Sequence, residues 1–330
     1  MDVPDAVSAV VRQEFPGSDI RAVERLSGGC KDTYRVELSE RAVVAAFPRE
    51  AWYEPQFALE PAMMRLVREA TSVPVPRVLA TDVSGTAMRP YHVTDALDGE
   101  SLDGRLTGLD HVEQTTLVGA VGRALAELHD GVRFDASGPL VPADTDRGVR
   151  VDARSSWPTF LSELVDTWLT ELSDSRFADL APTYRQVLTP ESVVSTDVEP
   201  ACLHFDYGPR NLLTRGETLV GVVDWGFAVA GHAEYDLFQC EKNLLLGQVD
   251  DPTVRETLRP HLYAGYRERA SLAPGWERRR AFYRVAYKLA SMRSFHRWTA
   301  GMDATARDRM ATRLRDELQA DLERFRTMER

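Results

Sequence analysis

A group of oxygen-bearing side chains around one short predicted hairpin constrains this chain more than any other feature. Two apolar runs, at 211–214 and 219–223, are separated by a glycine-containing turn and predict the hairpin. Asn211 begins the first run and Asp224 follows the second, thirteen residues later. Because a hairpin returns the chain to its starting point, we expect these two side chains to meet. Amide and carboxylate oxygens are ligands that Mg²⁺ accepts, so a magnesium site is predicted there.

Asp206 lies five residues before Asn211, in a turn that contains Gly208 and Pro209. Phosphoryl transfer requires a carboxylate that accepts the proton of an attacking hydroxyl, and oxygen ligands that hold Mg²⁺ on a triphosphate. Asp206 can serve as that carboxylate, with Asn211 and Asp224 as the ligands. The spacing is therefore compatible with transfer of a phosphoryl group.

The element pattern divides the chain into two unlike halves. Short β-like runs at 20–26, 33–38, 41–47, 77–81 and 91–97 surround one helical stretch at 56–69, and the short connections between them indicate an antiparallel sheet. The rest of the chain is mainly helical, apart from the hairpin. This α+β pattern predicts a lobe at 1–98 and a second lobe at 99–330.

The segment His204-Phe205-Asp206 with Asn211 resembles the catalytic loop of the protein kinase superfamily. Asp224-Trp225 replaces the Asp-Phe-Gly motif of protein kinases, and Gly231 and Asp236-Leu237 follow it. This order is similar to that of the aminoglycoside phosphotransferases, a family of small-molecule kinases. The resemblance implies a bilobal protein kinase-like fold, with an amino-terminal antiparallel sheet plus a helix and a mainly helical carboxy-terminal lobe.

The resemblance also implies roles for individual residues. ATP and Mg²⁺ would be the cofactors, Asp206 the catalytic base, and Asn211 and Asp224 the metal ligands. His204 would support the loop structurally. Asp236 would brace the same loop through backbone hydrogen bonds, although it is equally compatible with an N-cap for a helix that starts at Leu237.

Nucleotide contacts are implied at two places in the amino-terminal lobe. Gly28 and Gly29 stand in a Gly-rich turn, where backbone amides can approach phosphate oxygens. The strand at 91–97 corresponds to the hinge of the family, so the Asp95 carbonyl and the Leu97 amide are expected to meet adenine.

One position departs from the family pattern. Ala46 stands where the third strand normally carries a cation for the phosphates, whereas the partner glutamate is present as Glu60. An unpaired carboxylate near a triphosphate would repel it by roughly 4 kcal/mol at ~4 Å and an effective dielectric constant of ~20. Lys31, in the Gly-rich segment, is a candidate replacement and equally compatible with an exposed loop lysine.

Two points about this replacement stay open at the level of the sequence. Arg35 or Arg49 could supply the cation instead of Lys31. Pro61 follows Glu60 directly, and because proline is tolerated in the first turn of a helix, we expect the helix to begin near this point. Glu60 would then be a helix-start residue.

The acceptor is a small-molecule hydroxyl by the same resemblance, and its chemistry stays undecided. Acidic candidates suit an amine, and basic candidates suit an anion. The candidate lining residues are Glu234, Tyr235, Glu241, Tyr287, Arg293 and His296.

Composition removes several other classes of function. The formal net charge of -11 disfavours nucleic acid as a partner. No apolar run is long enough to span a bilayer, and the acidic start of the chain lacks the features of a signal peptide, so a cytoplasmic protein without membrane contact is expected. We therefore predict an ATP-dependent phosphotransferase of unspecified oligomeric state. A nucleotide-binding pseudokinase with a regulatory or scaffold role is the alternative, because the usual strand lysine is missing.

Overall fold

The amino-terminal lobe is built on an antiparallel sheet. The computed structural model describes residues 3–26, 29–85, 89–143, 148–152 and 154–328. The strands of this sheet are β1 (Ile20–Leu26), β2 (Lys31–Leu38), β3 (Ala42–Pro48), β4 (Val78–Asp82) and β5 (Tyr91–Asp95). Their spatial order is β1-β2-β3-β5-β4. All of the strands expected from the sequence are therefore present, with their ends moved by a few residues.

Two helices accompany this sheet, where one was expected. The amino-terminal helix α1 (Val3–Glu14) was not predicted, although Val7, Val10 and Val11 have helical spacing. These three side chains are buried in the core of the sheet, together with Val36 from β2. Burial of this apolar face explains why the helix forms.

The second helix, α2 (Glu54–Ala70), packs against the carboxy-terminal lobe. Leu59, Met63 and Val67 are buried in the large cluster that also contains the core of that lobe. The expectation that the helix begins near Pro61 is wrong, because Pro61 lies in its interior. Proline there removes one backbone donor at a cost of about 3 kcal/mol, which the burial of this apolar face offsets.

The carboxy-terminal lobe is mainly helical, as predicted. Its helices are α3 (His111–Gly131), α4 (Trp157–Ser173), α5 (Ala181–Val187), α6 (Ala233–Glu241), α7 (Pro252–Arg267), α8 (Trp276–Arg293), α9 (Phe295–Trp298) and α10 (Ala304–Thr327). Helix α6 continues into a π-helical segment, Lys242–Leu246. None of the described helices is both long and apolar enough to cross a bilayer.

Two small sheets interrupt this helical lobe. The predicted hairpin is present as β10 (Leu212–Arg215) and β11 (Thr218–Val222), and β6 (Glu100–Ser101) pairs with β10. A further sheet, in the order β8-β7-β12-β9, was not expected. Its strands are β7 (Gly138–Pro142), β8 (Val149–Val151), β9 (Ala201–Leu203) and β12 (Val229–Gly231). Strand β9 of this sheet ends at Leu203, so the sheet fixes the position of the residue that follows, His204.

Candidate active site

The loop that carries Asp206 leaves β9 through an unusual backbone conformation. Phe205 has a φ of +65°, in the left-handed region that non-glycine residues rarely occupy. Such a conformation persists only where the surrounding structure holds it in place. The ring of Phe205 stacks on Tyr235, with 5.3 Å between the centroids, and Asp206 itself stays exposed.

Asp236 anchors this loop through hydrogen bonds to the loop backbone. Its carboxylate accepts hydrogen bonds from the His204 amide at 2.8 Å and from the Phe205 amide at 3.0 Å, and it lies 3.4 Å from His129 Nε2. The side chain is fully buried. Asp236 is not an N-cap, because α6 already begins at Ala233 and its N-cap residue is His232.

Substitution of Asp236 by alanine is expected to lower the free energy of unfolding by about 3 kcal/mol. Two buried amides would lose their acceptor, at roughly 1–3 kcal/mol each. Urea denaturation followed by circular dichroism measures the change. The control is Asp308→Ala, since Asp308 is an exposed carboxylate paired with Arg176 and should change stability by less than about 1 kcal/mol. Equal effects of the two substitutions would contradict the bracing role.

His204 joins the two segments that carry Asp206 and Asp224. Its Nε2–H donates to the Val223 carbonyl at 3.0 Å, and its ring packs on Trp225 with 4.6 Å between the centroids. The side chain is fully buried. This environment suits a structural residue.

Asn211 contacts Asp206 through the nitrogen end of its amide. Asn211 Nδ2 donates to the Asp206 carbonyl at 2.9 Å and to Asp206 Oδ2 at 3.0 Å. The Asn211 side-chain oxygen accepts no hydrogen bond from any of the described residues, which leaves it free to bind a metal ion. The main chain brings this residue beside Asp224, because the Val223 amide donates to the Asn211 carbonyl at 3.0 Å.

Asp224 follows β11 in a left-handed conformation, with a φ of +68°. Its side chain is 33% exposed, and Oδ1 lies 2.8 Å from Lys31 Nζ and 3.5 Å from the Tyr53 hydroxyl. The neighbouring Trp225 is fully buried and donates its indole N–H to the Val222 carbonyl at 2.9 Å. The buried indole therefore anchors the segment from which the Asp224 carboxylate projects.

The environment of Asp206 raises the pKa of its carboxyl group. Loss of surrounding water raises the pKa of Asp206 above its ordinary value, and the negative charge of Asp224 acts in the same direction. Although Asp206 contacts solvent at its exposed edge, the direction of the shift is the one that favours a base.

Lys31 forms an ion-paired group with carboxylates from both lobes. Its Nζ lies 2.7 Å from each carboxylate oxygen of Glu60 and 2.8 Å from Asp224 Oδ1. Burial alone would raise the pKa of Glu60, but the Lys31 ammonium holds it well below its ordinary value. Burial alone would lower the pKa of Lys31, but Glu60 and then Asp224 raise it. Lys31 and Glu60 are therefore charged together.

The geometry explains how this lysine reaches a position near Ala46. Lys31 is the first residue of β2, and Ala46 on β3 pairs with Thr33 on one side and with His92 on the other. His92 Nε2 in turn lies 3.3 Å from Glu60 Oε2. The ammonium and the small Ala46 side chain thus belong to the same neighbourhood around Glu60.

The two arginines considered as replacements contact other residues. Arg35 pairs with Glu37 at 2.9 Å, and Arg49 pairs with Asp32 at 3.2 Å. Neither guanidinium contacts Glu60 or Asp224 in the described part of the chain. The idea that Glu60 is a helix-start residue is also wrong, because Glu60 lies inside α2 and is 3% exposed.

The predicted nucleotide contacts of the amino-terminal lobe are only partly described. Gly28 lies outside the described residues, and Gly29 is exposed beside the start of β2. Strand β5 ends at Asp95, whose amide donates to the Arg77 carbonyl at 3.0 Å. The Leu97 amide has no partner among the described residues and is available to a ligand.

Two of the candidate acceptor residues are neutralised inside the carboxy-terminal lobe. Glu234 is 3% exposed and pairs with Arg279 at 2.5 Å. Glu241 is 1% exposed and accepts from Arg259 at 2.7 Å and also from Arg280. These carboxylates hold helices together and are not free to bind an amine. Of the basic candidates, Arg293 pairs with Glu171 and His296 is exposed.

The profile of the phosphotransferase enzyme family, APH, matches residues 22–282. The chain belongs to this phosphotransferase enzyme family. Membership confirms the resemblance noted in the sequence, and it supports a phosphotransferase activity.

Solved structures of phosphotransferases share the fold of this family member. No curated protein matches the sequence. The chain is similar to a putative aminoglycoside phosphotransferase from Ralstonia eutropha JMP134, with 16% identity, 98% of both chains covered and a TM-score of 0.66. It is also similar to the aminoglycoside phosphotransferase APH(4)-Ia in complex with ADP and hygromycin B, with 16% identity, 94% and 98% of the two chains covered and a TM-score of 0.64.

A third similar structure carries a different name. It is a putative fructosamine-3-kinase from Haemophilus somnus 129PT, with 17% identity, 94% and 96% of the two chains covered and a TM-score of 0.61. At these identities the likeness shows the fold alone. The predicted bilobal protein kinase-like fold is therefore confirmed for this phosphotransferase family member.

Proposed function

We propose that this phosphotransferase family member transfers the γ-phosphoryl group of ATP to a hydroxyl of a small molecule. The observation that carries the proposal is the convergence of Asp206, Asn211 and Asp224 at one end of the β10–β11 hairpin, with Lys31 of the other lobe 2.8 Å from Asp224. Family membership and similar solved structures that contain ADP support the same activity.

The residues at this point suit Mg²⁺. Asp224 offers an anionic oxygen, and Asn211 offers a neutral oxygen whose nitrogen counterpart is already occupied by Asp206. Mg²⁺ is a hard cation that takes one or two protein oxygens and completes its shell with phosphate and water. Among the described residues no group of three or more histidine, cysteine or acidic side chains forms a metal cage. Two protein ligands, Asp224 and Asn211, beside a bound triphosphate fit the coordination that Mg²⁺ prefers.

Lys31 is proposed to contact the phosphates in place of a strand lysine. Glu60 orients the ammonium through both carboxylate oxygens, at 2.7 Å each. The pairing supports an enzyme over the pseudokinase alternative, because that alternative depends on a missing cation next to Glu60. The Leu97 amide and the Asp95 carbonyl are proposed to bind adenine at the hinge.

Asp206 is proposed to act as the base. Its Oδ2 accepts from Asn211, so Oδ1 is left to orient the acceptor hydroxyl and to receive its proton. When bound, magnesium–ATP supplies the phosphoryl group and neutralises the charge that develops on it. The contribution of the protein is chiefly positioning and electrostatic stabilisation.

Addition of magnesium–ATP is expected to raise the melting temperature of the protein by several degrees. A ligand that binds only the native state stabilises it, by about 2.7 kcal/mol at a hundred times its Kd. Thermal denaturation with ATP, with and without Mg²⁺, measures the shift, and an ATP-consumption screen against small hydroxyl compounds measures turnover. Absence of both stabilisation and turnover would contradict the proposal and favour a scaffold.

A further inference from the structure

Lys242, the second of the three lysines of the chain, lies in a segment that packs on the catalytic loop. Lys242 begins the π-helical segment after α6, where its carbonyl accepts from the Gly247 amide at 3.0 Å. Asn243 follows it and packs directly on the loop, because a Cβ added to Gly208 would lie 3.0 Å from the Asn243 Cβ. Gly208 is two residues from Asp206. The π-helical segment therefore packs Asn243 on the loop that carries the proposed base, and Lys242 is the preceding residue, with its ammonium hydrogen-bonded to Asn243.

The Lys242 ammonium is held by neutral groups. Its Nζ lies 4.1 Å from the centroid of the Tyr287 ring, donates to the Tyr287 hydroxyl, and donates to Asn243 Oδ1 at 3.2 Å. The other two lysines pair with carboxylates, Lys31 with Glu60 and Lys288 with Glu317. Within the described residues Lys242 has no carboxylate partner.

The acidic residues of α6 already have other partners. Glu234 pairs with Arg279, and Glu241 accepts from two arginines at once. Asp236 accepts from the His204 and Phe205 amides. An anion bound beside the half-buried Lys242 ammonium would be attracted to a charge that has no carboxylate partner among the described residues.

The remaining groups near Lys242 are polar and neutral or aromatic. Gln239 is 7% exposed, and its side-chain oxygen has no hydrogen-bond partner among the described residues. It follows Tyr235 by one helical turn, and Tyr235 stacks on Phe205 next to the base. A ligand hydroxyl that reached this oxygen would give it the hydrogen-bond donor that it lacks.

We infer that the acceptor carries an anionic group, a carboxylate or a phosphate, which Lys242 binds while Asp206 faces the reacting hydroxyl. The inference rests on the proposed phosphotransferase function and deepens it. A polycationic acceptor would meet an uncompensated ammonium here, so the hydroxyl substrate is expected to be acidic.

The test compares matched acids and amides as acceptors. Transfer from γ-labelled ATP is measured with D-glycerate and glyceramide, with D-gluconate and D-gluconamide, and with hygromycin B and streptomycin as cationic probes. We expect transfer to an acid at a kcat/KM at least tenfold above that of its amide. Lys242→Gln should lower kcat/KM for that acid at least tenfold, chiefly through KM, and Lys242→Arg should restore most of it.

Lys288→Gln is the matched control, because Lys288 pairs with Glu317 of α10 and Glu317 keeps Arg313 at 2.8 Å. It should leave the ratio of acid to amide unchanged. The inference is overturned if amides or cationic probes are equal or better acceptors, if Lys242→Gln changes the ratio less than twofold, or if a protein that binds magnesium–ATP modifies none of the acids. Failure to bind magnesium–ATP would instead overturn the proposed function.

Discussion

Replacement of Asp206 by asparagine is expected to lower kcat about a thousandfold and to leave the Kd for magnesium–ATP within about threefold. General base catalysis contributes roughly 10²–10⁴-fold to rates, and asparagine cannot accept a proton at this position. The substitution preserves size, and the new amide oxygen can still accept from Asn211, whose Nδ2 lies 3.0 Å from the present carboxylate. The loss should therefore appear in turnover and not in nucleotide binding.

Steady-state kinetics with an acceptor from the screen, together with calorimetric titration of magnesium–ATP, separates the two effects. Asp103→Asn is a suitable control, since Asp103 belongs to the same lobe, is partly exposed and pairs with Arg210 of the loop at 3.2 Å. It should change kcat less than twofold. A kcat for Asp206→Asn within tenfold of the unmodified protein would remove Asp206 from the role of base.

Substitution of Lys31 by methionine is expected to weaken binding of magnesium–ATP by about two to three orders of magnitude. One charge pair at ~4 Å and an effective dielectric constant of ~20 corresponds to roughly 4 kcal/mol. The substitution also leaves Glu60 and Asp224 facing a triphosphate without the ammonium that now lies 2.7 and 2.8 Å from them. Calorimetric titration gives the Kd, and Arg49→Ala, which removes a guanidinium that contacts Asp32 instead, should change it less than threefold.

Loss of a buried ion-pair partner also destabilises the fold, typically by 3–5 kcal/mol. The Kd for magnesium–ATP is therefore also measured in two double variants, which separate loss of stability from loss of affinity. The double variant Lys31→Met with Glu60→Gln removes the unpaired carboxylate and should recover stability but not affinity. The double variant Lys31→Met with Ala46→Lys places a lysine on β3, at the position that pairs with His92 on β5. It should recover part of the affinity for magnesium–ATP. If Lys31→Met keeps the Kd of the unmodified protein, Lys31 does not bind the phosphates.

Much of the fold was accessible from local patterns. The strands β1 to β5, the helix α2 and the β10–β11 hairpin were predicted near their observed positions, because alternation and helical spacing report the face that each segment buries. Helix α1 carried the same kind of signal at Val7, Val10 and Val11 and was overlooked. The three-residue strands of the second sheet, such as β9, are too short to show a period of their own.

The candidate site, like the fold, could be predicted from the sequence only in part. The order of residues around Asp206, Asn211 and Asp224 was sufficient to predict that they meet, since a hairpin of few residues joins them. The helix-start position of Glu60 and the N-cap alternative for Asp236 were wrong, because the helices that carry them begin earlier than local propensity indicates. In α2, burial of the apolar face offsets the cost of Pro61, and in α6 the helix begins three residues before Asp236.

The sequence by itself determined the family, the two lobes and the residue types available for phosphoryl transfer. Only the tertiary structure decided which cation pairs with Glu60, and that Glu234 and Glu241 of α6 pair with arginines while Lys242 has no carboxylate partner among the described residues. Lys31 and Asp224 are 193 positions apart, and Glu241 and Arg280 are 39 positions apart. Such pairs depend on how lobes and helices pack, and hydrophobic periodicity records only which face of each segment is buried.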